Sequence, residues 1–169
     1  MTISKMDRYR LVAGPGIMFN PVADDGDIDS TFRGVQPELH LAFKVRFFNT
    51  SRRAINKFAF EFGPTMDAAV VKNGVTEFGV ENNFIFKFNK WFSAGIFVTP
   101  TGRFGSSDRT RAESEVLPIV KAGGEGQFYK DMVRLRGGIT AMISDTRDLG
   151  SFAQLVFDVG AFTMALAEK

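Results

Sequence analysis

The amino-acid sequence predicts an all-β protein: an antiparallel up-and-down β-barrel of about eight strands, with short turns at one end and longer loops at the other. Three observations support this fold class. Apolar and polar residues alternate in segments along the whole chain, turn-forming stretches separate those segments, and no segment longer than one turn has a helical period. No domain boundary is visible, so residues 1–169 are expected to form a single barrel domain.

The second segment shows the alternation most clearly. In VQPELHLAFKVRF (residues 35–47), every odd position from Val35 to Phe47 is apolar, whereas the even positions include Glu38, His40 and Lys44. Such a period of two over thirteen residues is typical of a strand with one apolar and one polar face.

The other predicted strands repeat this pattern. In chain order they are Arg8–Asn20, Lys57–Val70, Thr76–Phe88, Trp91–Thr99, Glu115–Phe128, Met132–Ser144 and Ser151–Thr163. Their apolar faces include Leu11, Ile17 and Phe19; Phe58, Phe60 and Phe62; Phe84, Phe86 and Phe88; Ile96 and Val98; Leu135 and Ile139; Leu155 and Phe157. The sixth strand is identified by its polar face, Lys121, Glu125 and Gln127. Proline lacks an N–H donor, so we expect bulges or strand ends at Pro15, Pro37, Pro64 and Pro118.

The connections differ in length at the two ends of the predicted barrel. Short turns are expected at Asn49–Arg53, Asn89–Lys90 and Tyr129–Asp131. The opposite end has the long loops Pro21–Gly34 and Pro100–Ser114 and the shorter Lys72–Gly74 and Asp145–Asp148. This is the layout of an outer-membrane barrel, although a soluble barrel can also have unequal ends.

Three features favour a polar interior over a polar outer surface. The polar faces carry mid-strand charges of both signs: Lys44, Glu61, Glu81, Lys121, Arg136 and Asp158. They also carry glycines, which would make room for long side chains inside a narrow barrel: Gly14, Gly16, Gly63, Gly79, Gly95 and Gly138. The single Trp and both Tyr (Trp91, Tyr9 and Tyr129) fall at one end, as a bilayer interface would select.

Phenylalanine usage points the same way. The chain has 19 Phe against one Trp and two Tyr. Because an eight-stranded interior is just wide enough for side chains to fill, stripes of Phe would overfill it. On an outer surface that faces lipid, the same Phe side chains would carry no energetic penalty.

One segment carries a family resemblance. GVENNFIFKFNKWFSAGIF (residues 79–97) resembles the strand–turn–strand unit of small outer-membrane barrels, the class of the OmpA membrane domain, OmpX and the opacity-type proteins. The strand number and loop alternation extend the likeness over nearly the whole chain. The resemblance implies a closed barrel in the outer membrane, assembled without a cofactor.

Catalytic signals are weak. His40 is the only histidine, and Glu38 and Lys44 share its face, so a buried acid–base cluster is conceivable; one polar residue in an interior network is the favoured interpretation. The glycines of Ala13–Gly16 and Ala122–Gly126 indicate strand kinks or space-making rather than phosphate loops. Asp24–Asp29 resembles a calcium loop but lacks its final Glu, and is interpreted as a solvated loop. We therefore expect no enzyme activity and no catalytic, cofactor or metal site.

The predicted function is that of an outer-membrane barrel with a plugged polar interior and a structural, adhesion or loop-mediated recognition role. Its expected partners are the lipid bilayer or detergent, and an extracellular partner at loops 21–34 and 100–114. A net charge of +2 with interspersed signs favours no nucleic-acid partner. Two alternatives stay open: a soluble barrel that binds a lipophilic small ligand, lipocalin-like or cyclase-like, and a phage or particle structural β protein.

The ends of the chain also bear on location. The opening MTISKMDRYR has no apolar signal-peptide segment, which taken literally predicts a cytoplasmic or virion protein; a mature chain behind a start Met would look the same. The sparsely charged Leu149–Ala167 is not expected to be a transmembrane helix, because Asp158, Gly150 and Gly160 interrupt it.

Overall fold

The protein is a closed barrel of eight antiparallel strands. The computed structural model describes residues 9–19, 35–48, 57–70, 76–89, 91–104, 117–129, 131–143 and 149–159. The strands are β1 (Tyr9–Phe19), β2 (Val35–Phe48), β3 (Lys57–Ala69), β4 (Thr76–Lys87), β5 (Phe92–Phe104), β6 (Leu117–Phe128), β7 (Val133–Met142) and β8 (Leu149–Asp158). Each strand pairs with its neighbours along the chain, and β8 pairs with β1 to close the sheet. The predicted fold class and all eight predicted strands are confirmed.

Two predicted strand ends are wrong. The eighth strand was predicted to run to Thr163, but β8 ends at Asp158. The sequence prediction ended the fifth strand at Thr99 and began a loop at Pro100, but β5 continues to Phe104. The reason is that the alternation persists: Pro100 is exposed, Thr101 is buried, and the pairing with β6 continues to Arg103. The predicted loop 100–114 is therefore shorter than expected at its start.

Other predicted connections lie outside the described residues: 21–34, 49–53, 72–74, 105–114 and 145–148, including the aspartates at 24–29. Of the sparsely charged segment at 149–167, residues 149–158 form β8. No helix among the described residues is long and apolar enough to cross a membrane.

The prolines do not produce bulges. The β1–β8 pairing has the same register on both sides of Gly14 and Pro15, which have no partner in β8. The β2–β3 ladder is likewise interrupted at Gly63 and Pro64 without a change of register. A proline loses only the one hydrogen bond that its N–H would have donated to one neighbour, and its outward-facing ring is accommodated. The expected bulges at Pro15 and Pro64 are thus wrong, whereas Pro37 and Pro118 are close to strand starts.

Two kinds of glycine shape the barrel wall. A Cβ at Gly63 would lie 2.0 Å from the Phe43 carbonyl oxygen, so only glycine permits this approach of β3 to β2. At Gly16, in contrast, a Cβ would meet the side chains of Gln154 and Glu38. The predicted room for interior side chains is therefore present at Gly16, whereas Gly63 permits a close approach of two strands.

Candidate functional site

The charged residues occupy the inside of the barrel and the apolar residues cover its outside. Lys44, Glu61 and Arg134 have no exposed surface, whereas Phe47 is 57% exposed and Ile96 is 62% exposed. The predicted mid-strand charges are all buried: Lys44, Glu61, Glu81, Lys121, Arg136 and Asp158. The predicted polar-inside arrangement is confirmed.

A first cluster of ion pairs fills the barrel at the short-turn end. Arg46 Nε donates to Glu61 Oε1 at 2.5 Å, and Arg134 Nη1 donates to Glu61 Oε2 at 2.7 Å. Arg46 Nη1 also reaches Asp131 Oδ2 at 2.5 Å. Asp158 closes the cluster, accepting a 2.9 Å hydrogen bond from Arg10. Charges buried in this way need such partners, because an unpaired ion costs several kcal/mol.

The middle of the barrel holds a second cluster. Glu81 lies between two cations: Lys44 Nζ donates to its Oε1 at 2.5 Å, and Arg136 donates to its Oε2. Arg136 Nε is 3.2 Å from Glu125 Oε2, which connects β4 to β6 and β7. The two contacts of Glu81 join β4 to β2 and β7, which are not its neighbours in the sheet, so they brace the barrel across its interior.

The third cluster, towards the long-loop end, contains His40. Its Nδ1 is 2.6 Å from Asp67 Oδ1, and its Nε2 is 2.9 Å from Arg136 Nη1. Because a guanidinium can only donate, Nε2 accepts and Nδ1 carries the proton that is donated to Asp67. Lys121 donates to Asp67 Oδ2 at 2.7 Å and lies 2.5 Å from Glu77.

The conceivable acid–base cluster of His40, Glu38 and Lys44 is not formed. Lys44 pairs with Glu81, and Glu38 accepts a 2.7 Å hydrogen bond from Gln154. Residues two apart on one strand lie along the barrel, whereas the partners come from strands across or beside it. The sequence prediction missed Asp67 as the partner of His40; the β2–β3 register that places them opposite each other was the missing information.

The remaining interior space is small. A cavity of about 10 Å3 lies beside His40, Lys121 and Gln154, which is room for roughly one water molecule. Phe97 and Phe152 pack next to it with ring centroids 5.9 Å apart, and the Arg136 guanidinium lies 4.3 Å from the Phe97 centroid. The described part of the interior therefore has no wide channel.

The turn between β6 and β7 contributes a charged group from outside the strands. Tyr129 and Asp131 have φ values of 53° and 70°, and Asp131 turns its carboxylate into the first cluster. Burial raises the pKa of Asp131, but the adjacent Arg46 and Lys87 cations outweigh this and hold the pKa at about 2.

The same end of the barrel carries the amphipathic aromatic residues. Tyr9 begins β1, Trp91 precedes β5 and Tyr129 follows β6; all three are more than half exposed. The Tyr129 N–H donates to the Trp91 carbonyl at 3.0 Å, which places these two residues side by side. The predicted clustering of Trp and Tyr at the short-turn end is confirmed.

Together these features define a class: a closed eight-stranded antiparallel barrel with a charged, filled interior and an apolar exterior. Comparison with protein-family models and with curated proteins gives no match. Among solved structures, the chain is similar to the outer membrane protein Ail of Yersinia pestis, determined in a phospholipid bilayer nanodisc. The identity is 12%, the match covers 88% of this chain and 97% of that chain, and the TM-score is 0.41.

Proposed function

We propose that this protein is an integral outer-membrane β-barrel that acts as a structural or recognition element and forms no wide pore. The observation that carries the proposal is the apolar belt. Outward-facing Val120 of β6 is partly exposed, and the other seven strands all carry exposed large apolar side chains, among them Leu11, Leu41, Phe62, Phe84, Ile96, Leu135 and Leu155. A soluble monomer does not expose an apolar surface of this extent, whereas lipid requires one.

Strand length supports the same function. β1 has 11 residues. At about 3.3 Å per residue and a tilt of about 45°, such a strand spans roughly 25 Å, the height of the apolar band of a membrane barrel. Tyr9, Trp91 and Tyr129 would then lie in one headgroup region.

The alternative of a soluble barrel that binds a lipophilic ligand receives less support. Such a barrel needs apolar side chains around a central cavity. Here the interior is lined by ion pairs, and the cavity beside His40 has a volume of only about 10 Å3. The recognition role is assigned to the long-loop end, at residues 21–34 and 105–114.

Lipid quenching of Trp91, the only tryptophan, tests the membrane proposal. In vesicles, lipids brominated near the headgroup should quench its fluorescence more strongly than lipids brominated at the chain ends. The matched control combines Trp91→Phe with Phe84→Trp, which moves the fluorophore to the middle of β4 and should reverse the order. A folded, monodisperse monomer in detergent-free buffer would contradict the proposal.

The orientation of the loops can be tested separately. A protease site introduced within residues 105–114 should be cleaved when protease is added to intact cells. A site introduced next to Asn89, in a short turn, should be cleaved only after the outer membrane is permeabilised. The reverse result would exclude recognition of an external partner by the long loops.

A further inference from the structure

The apolar belt contains one polar side chain where a membrane barrel should have none. Among the outward-facing side chains of the described strands, the other polar ones are at strand ends: Tyr9 and Thr76 begin their strands, and Ser151 is near the start of β8. Asn82, in contrast, is in the middle of β4. Its register partners are Phe62 on β3 and Val98 on β5, so its surroundings in the sheet are apolar.

A proline on β5 accounts for part of the Asn82 amide. The β4–β5 ladder is interrupted at Val80, which the register places opposite Pro100, and Pro100 cannot donate a ladder hydrogen bond to the Val80 carbonyl. Asn82 Nδ2 donates to this carbonyl at 3.4 Å, a long hydrogen bond. One amide N–H thus replaces the hydrogen bond that Pro100 cannot donate.

The rest of the amide points to a partner outside the barrel. Beyond its contact with Val80, the Asn82 side chain retains a second N–H and the Oδ1 acceptor at a partly exposed position. In hydrocarbon, unsatisfied amide groups are costly, and Asn side chains of transmembrane helices form hydrogen bonds across helix interfaces. A donor and an acceptor on one group are self-complementary, so the same group on a second copy can satisfy both.

We propose that the β4 face around Asn82 is a dimer interface between two copies of this chain in the membrane. Across a two-fold axis, Asn82 of each copy donates to the Oδ1 of the other. The apolar side chains around it, including Phe62, Phe84 and Val98, pack against the same surface of the second copy. This inference rests on the proposed membrane location.

Single-molecule photobleaching of dye-labelled chains in dilute vesicles tests the interface. The parent chain should bleach in two steps at protein-to-lipid ratios where Asn82→Leu bleaches in one, with dimerisation weakened about tenfold. Asn82→Gln retains the amide and should retain dimers. Ile139→Val, an apolar change on the outer face of β7 and outside the proposed interface, is the matched control and should also dimerise.

Three outcomes would overturn the interface. These are a parent chain that is monomeric although it is inserted, an Asn82→Leu variant that dimerises like the parent, and an Asn82→Gln variant as monomeric as Asn82→Leu. Insertion is read independently from Trp91 quenching and from a heat-resistant compact band in electrophoresis. If the parent fails those two measurements, the membrane proposal itself is contradicted.

Discussion

Glu81 shows at the scale of one residue how the orientation of a whole strand is fixed. Its side chain is 1% exposed and lies between Lys44 and Arg136, while Phe84 on the opposite face of β4 is 41% exposed. Turning β4 over would bury Phe84 in the crowded interior and place a carboxylate on the apolar outer surface. The ion pairs and the apolar belt therefore specify the same orientation.

Glu81→Leu should destabilise the barrel strongly, because it leaves the Lys44 and Arg136 cations without their shared carboxylate. Loss of one member of a buried pair typically costs about 3–5 kcal/mol. Equilibrium unfolding in urea from lipid vesicles measures the free energy of unfolding. The control Val80→Leu, one position away on the outer face, should change it by no more than about 0.5 kcal/mol. Equal effects for the two variants would contradict the inward position of Glu81.

Asp131 makes the stability depend on pH in the acid range. Its pKa is about 2 in the folded protein, against a usual value of 3.8. Because the folded value is the lower one, the stabilisation is complete above pH 3.8 and is lost as the pH falls towards 2. The shift corresponds to roughly 2 kcal/mol.

Asp131→Asn is the variant that isolates this contribution, since asparagine also tolerates the positive φ of 70° at this position. The variant should be less stable than the parent at pH 6, and the difference should shrink to near zero at pH 2. Urea unfolding at a series of pH values measures it. A difference that is constant with pH would show that the Asp131 charge is not responsible.

At the scale of the strands, faces are predictable from sequence and partners are not. The alternation is a local property, so eight strands and their buried faces followed from it directly. The partner of His40 depends on the register of β2 against β3, which brings Asp67 opposite, and no short segment encodes that register. The end of β5 was predicted too early for a related reason. In a short segment Pro100 indicates a strand end, but the loss of one backbone N–H donor does not end the pairing of two strands.

The glycines of the strand wall give a prediction at this scale. Gly63→Ala should destabilise the barrel by about 1–3 kcal/mol, because its Cβ would lie 2.0 Å from a carbonyl oxygen of β2 and the backbone must shift. Gly124→Ala is the matched control, since its nearest contact would be an ordinary 3.6 Å. Urea unfolding measures both variants. If Gly124→Ala were the more damaging change, strand approach would not explain Gly63.

At the scale of the whole molecule, closure joins the first strand to the last. The register partners of β1 and β8 run from Phe19 opposite Ser151 to Val12 opposite Asp158. Arg10 also donates a hydrogen bond to Asp158 across this seam, the line along which β1 and β8 meet. The residues that make these contacts are separated by most of the chain, so no local sequence pattern specifies the contacts. They follow from the twist of a sheet whose two edges would otherwise leave backbone N–H and C=O groups unpaired.

The seam can be tested by disulfide crosslinking, because the chain has no cysteine of its own. Ile17 and Ala153 are register partners across β1 and β8, so Ile17→Cys with Ala153→Cys should form an intramolecular disulfide in the folded protein. The control pair, Ile17→Cys with Leu135→Cys, places the second thiol on β7, one strand further away, and should remain reduced. Electrophoresis without reductant resolves the crosslinked monomer from disulfide-linked dimers. Since an open sheet would hold β1 and β8 apart, a reduced Ile17–Ala153 pair in the folded protein would contradict closure.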